Sequence, residues 1–136
     1  MDNIATLAKV IDLNHPVIFP SQFIEIIGNQ EKNNAVIIYS PTNDHLIRIF
    51  FTNASEVFKV EAKTNGLDHE FLSNLGGFLT AYKITPFYTS GFCKQGPCHY
   101  EGYFEKNTIK MSLEEFKIQF SSIKGVSEVK ITQFQI

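Results

Sequence analysis

No apolar run in this sequence approaches the ~20 residues needed to cross a bilayer, so a membrane-spanning helix is not expected. The start, MDNIATLAKVID, carries acids and no apolar block; no signal peptide is expected there, and a cytoplasmic location is. Basic charge is scarce. With 12 basic and 14 acidic side chains the net charge is −2, which argues against broad, sequence-blind binding of nucleic acid. The chain has no Gly-x-Ser-x-Gly, no Walker loop, no dinucleotide fingerprint and no His-Glu-x-x-His. Of its four histidines, His15 and His45 fall at predicted turns, and His69 and His99 are far apart in sequence. Catalysis by this chain alone is therefore not expected, and no cofactor is implied.

What is present is the composition of a folded chain, 43% hydrophobic and 19% charged. At 136 residues one domain is the default, and two very small ones require help from a partner chain. No linker rich in proline, glycine or serine divides the chain, so any boundary has to be read from periodicity. Residues 1–54 hold Lys9, Lys32 and Arg48 against Asp2, Asp12, Glu25, Glu31 and Asp44, whereas residues 55–136 hold nine lysines against nine acids.

The first half reads as short strands around one short helix. Thr6 to Asp12 suits a strand, and Asn14-His15-Pro16 breaks it. Val17-Ile18-Phe19 follows, stopped by Pro20. Ser21 is positioned as an N-cap, Phe23, Ile24 and Ile27 fall at helical spacing, and Gly28 ends that helix. Ala35 to Tyr39 and Leu46 to Phe51, joined through Pro41-Thr42-Asn43-Asp44, predict a hairpin.

Ala8-Lys9-Val10, then Val17-Ile18-Phe19-Pro20-Ser21-Gln22-Phe23-Ile24, then Gly28 and Ala35-Val36-Ile37-Ile38 together resemble the AbrB/SpoVT/MazE swapped-hairpin family over residues 5–52. That resemblance implies an interleaved dimer, in which a second chain supplies the layer that four short strands and a short helix lack. It also implies DNA contacts from basic side chains of the first hairpin. The family's Gly-Arg is replaced here by Asn14-His15-Pro16, and its Gly-Asp by Asn33-Asn34. Lys9, His15 and Arg48 are the DNA-binding candidates that remain; dimerisation alone is the alternative role for this half.

In the second half, Glu56 to Lys63 alternates, with Phe58, Val60 and Ala62 on one face and Val57, Lys59, Glu61 and Lys63 on the other, which predicts a half-buried strand. After a turn at Thr64-Asn65-Gly66, Phe71, Leu75, Phe78 and Tyr82 predict a helix over residues 68–82. Gly76 and Gly77 inside it each cost about 1 kcal/mol relative to Ala, which suggests close approach of another backbone or a ligand. Residues 86–93 and 99–105 predict an aromatic-rich hairpin. Ser112 and Glu115 form a capping box for a helix carrying Leu113, Phe116, Phe120 and Ile123 and ended by Gly125; Ser127 to Phe134 closes as a strand.

Cys93 and Cys98 flank the hairpin's four-residue loop. Directly opposed strand residues have Cα atoms ~4.5–5.5 Å apart, which suits a disulfide, although a reduced pair is the usual state in most cytosols. With His99 the cysteines offer three metal ligands at most and no Cys-x-x-Cys, so no metal site is expected.

Strand, helix, strand, strand, helix, strand is the ferredoxin-like order, giving an α+β fold: a small swapped-hairpin β-barrel half over residues 1–54, then a βαββαβ domain over 55–136. Leu113-Glu114-Glu115-Phe116 with Ile123-Lys124-Gly125-Val126-Ser127-Glu128-Val129-Lys130-Ile131 resembles the last helix, turn and strand of the ACT domain. Phe71-Leu72-Ser73-Asn74-Leu75 and Tyr82-Lys83-Ile84-Thr85 resemble its first helix and second strand. The resemblance implies a small effector, usually an amino acid, bound at an interface between two such domains through an Asp-x-x-Gly loop. Here Asn65, Gly66, Leu67, Asp68 and His69 occupy that loop, with Lys63 or Thr64 where the family has its aspartate. A helix N-terminus after a glycine turn offers N–H groups to a carboxylate. The alternative is that Asp68 only caps the helix and His69 is solvated. The combined expectation is a homodimer or higher homo-oligomer that senses a small molecule. It would act as a transcription regulator or, alternatively, as a non-DNA-binding regulatory subunit or assembly protein for a metabolic enzyme.

Overall fold

A computed structural model describes residues 5–12, 25, 31–41, 45–93 and 95–135. The chain divides into two compact units, one of Met1–Glu56 with Phe134–Ile136 and the other of Val57–Gln133.

In the first unit β1 (Leu7–Asp12), β2 (Asn34–Ser40) and β3 (Leu46–Thr52) form an antiparallel sheet in that order. Isoleucine recurs in all three, joined by valine in β1 and β2 and by phenylalanine in β3, as pleated and partly buried positions favour. The register places Val10, Val36 and Phe50 in one cross-strand row and Ala8, Ile38 and Arg48 in another. Val10, Val36 and Ile38 are buried on that face. Intervening rows point the other way. There Leu7 and Ile47, which flank Tyr39, remain 57% and 64% exposed. Asn34 fastens the chain beyond the sheet by donating its side-chain N–H to the Ala54 carbonyl at 3.0 Å. The expected β2–β3 hairpin is present. The expected strand at Val17–Phe19, the helix from Ser21 to Gly28 apart from Glu25, and His15 lie outside the described residues, as do Thr42, Asn43 and Asp44 of the expected turn.

The second unit is built from β4 (Glu56–Thr64), α1 (His69–Ala81), β5 (Tyr88–Cys93), β6 (Cys98–Glu105), a 3-10 turn (Lys106–Thr108), α2 (Leu113–Ser121) and β7 (Val126–Gln135), less the strand-end residues Glu56, Phe134 and Gln135. The sheet order β5-β6-β4-β7 is the ferredoxin-like arrangement. Phe58, Val60, Ala62, Tyr100 and Phe104 form the inner sheet face, and Phe71, Leu75, Phe116 and Phe120 descend on it from the helices. Phe58 stacks on Phe104 at 5.3 Å and meets Phe116 edge-on at 5.3 Å. Such aromatic pairs add directional attraction to simple burial.

Several local expectations change. β4 was expected to be half-buried, yet Val57 and Lys59 on its second face are buried too, as are Tyr103 and Glu101 on β6. Alternation reports side-chain polarity but not whether charges pair. Lys59 lies 3.3 Å from Glu61 and 3.7 Å from Glu101, and Ser90 donates to the other Glu101 carboxylate oxygen at 3.1 Å, so the buried charges are compensated. The capping box is half formed. Ser112 accepts from the Glu115 N–H, but the Glu115 carboxylate accepts from the Gln119 side chain at 2.7 Å instead of reaching back. α2 ends at Ser121, and Gly125, with φ +97°, serves the turn into β7 and not the helix end. Nothing in the described chain approaches the positions where Gly76 and Gly77 would carry a Cβ, so packing within it does not require those glycines.

Candidate functional site

The β4–α1 loop leaves the sheet at Thr64, whose hydroxyl donates to the Gly66 carbonyl at 3.0 Å and tightens the turn. Asp68 then caps α1, its carboxylate accepting from the Phe71 N–H at 3.0 Å. Across from this loop, the turn between α2 and β7 comes close enough for the Asn65 N–H to donate to the Gly125 carbonyl at 2.9 Å. The two segments meet because β4 and β7 are sheet neighbours. Ser127 and Glu128 of β7 extend the link, through a hydroxyl bond to the Lys63 carbonyl at 3.3 Å and an ion pair to Lys63 at 3.2 Å.

Between loop and turn lies a cavity of about 140 Å³, lined by Asn65, Gly66 and Asp68, by Glu70 and Phe71 of the first helical turn, and by Lys124 and Gly125 opposite. Lys124 and Glu70 form an ion pair of 2.7 Å at its rim. The hydrogen bond that the Lys124 ammonium donates to the Glu70 carboxylate, aided by that carboxylate's charge, raises the Lys124 pKa above its ordinary value. Both side chains are mostly solvent-exposed, so the pair can open at little cost and each partner can turn to a ligand.

Three of the five expected loop residues, Asn65, Gly66 and Asp68, thus meet at the cavity. Leu67 does not: it packs against the hydrophobic core. His69 stands exposed at the first position of α1, outside the lining. Gly66 has no positive φ, and a Cβ there would make only ordinary contacts, the nearest at 3.7 Å to Asp68. The glycine whose conformation shapes the cavity is Gly125. Glu70, Phe71, Lys124 and Gly125 were missed as lining residues. Their signal was the ferredoxin-like order itself, which brings the end of β4 beside the start of β7.

Of the DNA-binding candidates, His15 lies outside the described residues, and Lys9 and Arg48 occupy different cross-strand rows. Lys9 shares its row with Ile37 and Ile49, while Arg48 shares the adjacent row with Ala8 and Ile38, so the two point to opposite sheet faces. Arg48 is half-buried and donates to the Ser40 hydroxyl at 3.1 Å. Cys93 and Cys98, register partners on β5 and β6, are joined as a disulfide with Cα atoms 4.1 Å apart. Among the described residues no cluster of histidine, cysteine and carboxylate side chains could hold a metal ion, and no helix is long and apolar enough to cross a membrane.

No protein-family model matches this chain, and no curated protein matches it in sequence. Among solved structures it is similar to a formyltetrahydrofolate deformylase from Pseudomonas syringae pv. tomato, with a TM-score of 0.51 and 14% identity. The match covers 59% of this chain and 28% of that protein, so only a portion of the larger chain is shared. At that identity the likeness is one of fold, and it agrees with an α+β architecture of ferredoxin-like type.

Proposed function

We propose that the Val57–Gln133 unit is an ACT-like sensor that binds a small zwitterion, an amino acid or a close analogue, in the cavity between the β4–α1 loop and the α2–β7 turn. The observation that carries this reading is the pairing of Lys124 with Glu70 across a cavity of about 140 Å³ at the start of α1. Lys124 and the first N–H groups of α1 suit a carboxylate. Glu70 and the Asn65 side chain suit an ammonium group. Phe71 supplies an apolar wall. The role of the unit is regulatory and not catalytic: the ligand would favour one arrangement of a larger assembly. The assembly in this proposal is a homodimer, supported by the apolar row of Leu7 and Ile47 left exposed on the three-stranded sheet.

Of the two outputs, the placement of Lys9 and Arg48 on opposite sheet faces favours control of a protein partner over direct binding of DNA. A thermal-shift panel of the twenty amino acids tests the ligand. A ligand at 100 times its dissociation constant adds ~2.7 kcal/mol of stability, so at least one member should raise the transition temperature; a flat panel refutes the reading. Operator-length DNA at low salt tests the output, with no measurable binding expected.

A further inference from the structure

We infer that the Cys93–Cys98 disulfide is a redox switch that sets the order of the cavity loop. The bond closes the exposed tip of the β5–β6 hairpin, and that tip is tied to the loop at two places. Cys98 is the register partner of Thr64, and its carbonyl lies 3.5 Å from the Thr64 hydroxyl oxygen, whose single proton goes to the Gly66 carbonyl at 3.0 Å. Two residues before Cys93, Gly91 lies so close to Leu67 that a Cβ on it would sit 2.7 Å from the leucine Cδ1. Leu67 is the loop residue anchored in the core. A change in the spacing of the hairpin arms therefore reaches residues 64–67 through the Thr64–Cys98 strand pairing and one tight apolar contact.

The pair is chemically accessible from one side. Cys93 is exposed and Cys98 is buried. A thiolate from a dithiol reductant attacks the Cys93 sulfur, forms a mixed disulfide with it and releases Cys98 as the thiolate. The second thiol of the reductant then displaces Cys93 and closes the reductant's own disulfide. Two electrons pass to the protein, and two protons complete its two thiols. Without the covalent link, β5 is an edge strand held to β6 only by its ladder and packing. The loop, and with it the Asn65 N–H bond to Gly125, loses support. That the switch tunes effector affinity rests on the ligand reading above; that it orders the loop does not.

Amide hydrogen exchange on the full chain without ligand tests the switch. After reduction with a small dithiol, the Asn65 amide should exchange about tenfold faster, while the Phe116 amide, which donates to Ser112 at the far start of α2, should hold as the internal reference. Reoxidation should restore protection, and the double variant Cys93→Ser, Cys98→Ser should match the reduced protein. If the buried Cys98→Ser change prevents folding, reversible reduction of the unaltered chain still decides. Asn65 exchange that stays within about twofold in both redox states overturns the switch. An amino-acid panel run in parallel separates the two ideas. Faster loop exchange with no ligand detected sustains the switch and removes the effector; a ligand whose affinity and loop exchange both ignore redox state does the reverse.

Discussion

The two units of the chain solve the burial problem differently. The Val57–Gln133 unit is two-layered: helices α1 and α2 cover one sheet face, and Phe58, Phe104, Phe116 and Phe120 interlock between the layers with almost no exposure. The described part of the Met1–Glu56 unit is a single three-stranded sheet, buried along the Val10–Val36 row but exposing Leu7 and Ile47 at its edges. A sheet with one covered face is stable only when something shields its other apolar positions. The difference separates capacities: the first arrangement can hold a site rigidly, and the second leaves apolar side chains exposed.

The sharpest way to break this contrast is to open the interlocked core. Phe116→Ala should cost about 3–5 kcal/mol in denaturant unfolding, because it removes a fully buried ring and leaves a cavity among four other aromatics. By contrast Ile47→Ser on the open sheet should change the stability of isolated chains by no more than about 0.5 kcal/mol, yet weaken self-association measured by sedimentation. An equal loss of folding stability from both would erase the distinction.

A second pair sharpens the site. Gly125→Ala should cost about 1–2 kcal/mol, since its φ of +97° disfavours any side chain, whereas Gly66→Ala should be nearly silent. Thermal unfolding of the two variants checks which glycine shapes the cavity.

The smallest effect concerns Tyr100. Its hydroxyl is buried with no hydrogen-bond partner among the described residues, and burial pushes its ionisation well above the usual tyrosine range. Tyr100→Phe should therefore be neutral or stabilising by up to about 1 kcal/mol. In the folded chain the proton is retained. The unfolded chain releases it near pH ~10, so this contribution to stability is intact below that pH and is lost progressively above it. The variant should show a shallower loss of stability than the parent between neutral pH and the alkaline range, in parallel denaturant titrations.

Much of the Val57–Gln133 unit was legible in the sequence because its elements carry strong local signals. The 3–4 spacing of Phe71, Leu75 and Phe78 marks α1; Ser112 marks the start of α2; and an apolar alternation marks β4. What periodicity could not reveal was pairing at a distance. The compensation of Lys59 by Glu101 depends on register across two strands, and the meeting of Asn65 with Lys124 and Gly125 depends on which strands become neighbours. The loop residues followed the same rule. Asn65, Gly66 and Asp68 reach the cavity, but Leu67 turns to the core because an apolar side chain beside Gly91 is better buried than left facing solvent. Lys9 and Arg48 looked equivalent as charges and separate because a pleated strand alternates its faces.

The most direct test of the sensor reading is a residue-resolved NMR titration of the full, oxidised chain with the twenty amino acids. Saturable shifts centred on the amides of Asn65, Gly66, Glu70, Lys124 and Gly125 are expected for at least one of them, weakened in Lys124→Ala. Shifts that saturate elsewhere, or none at any concentration, would contradict it.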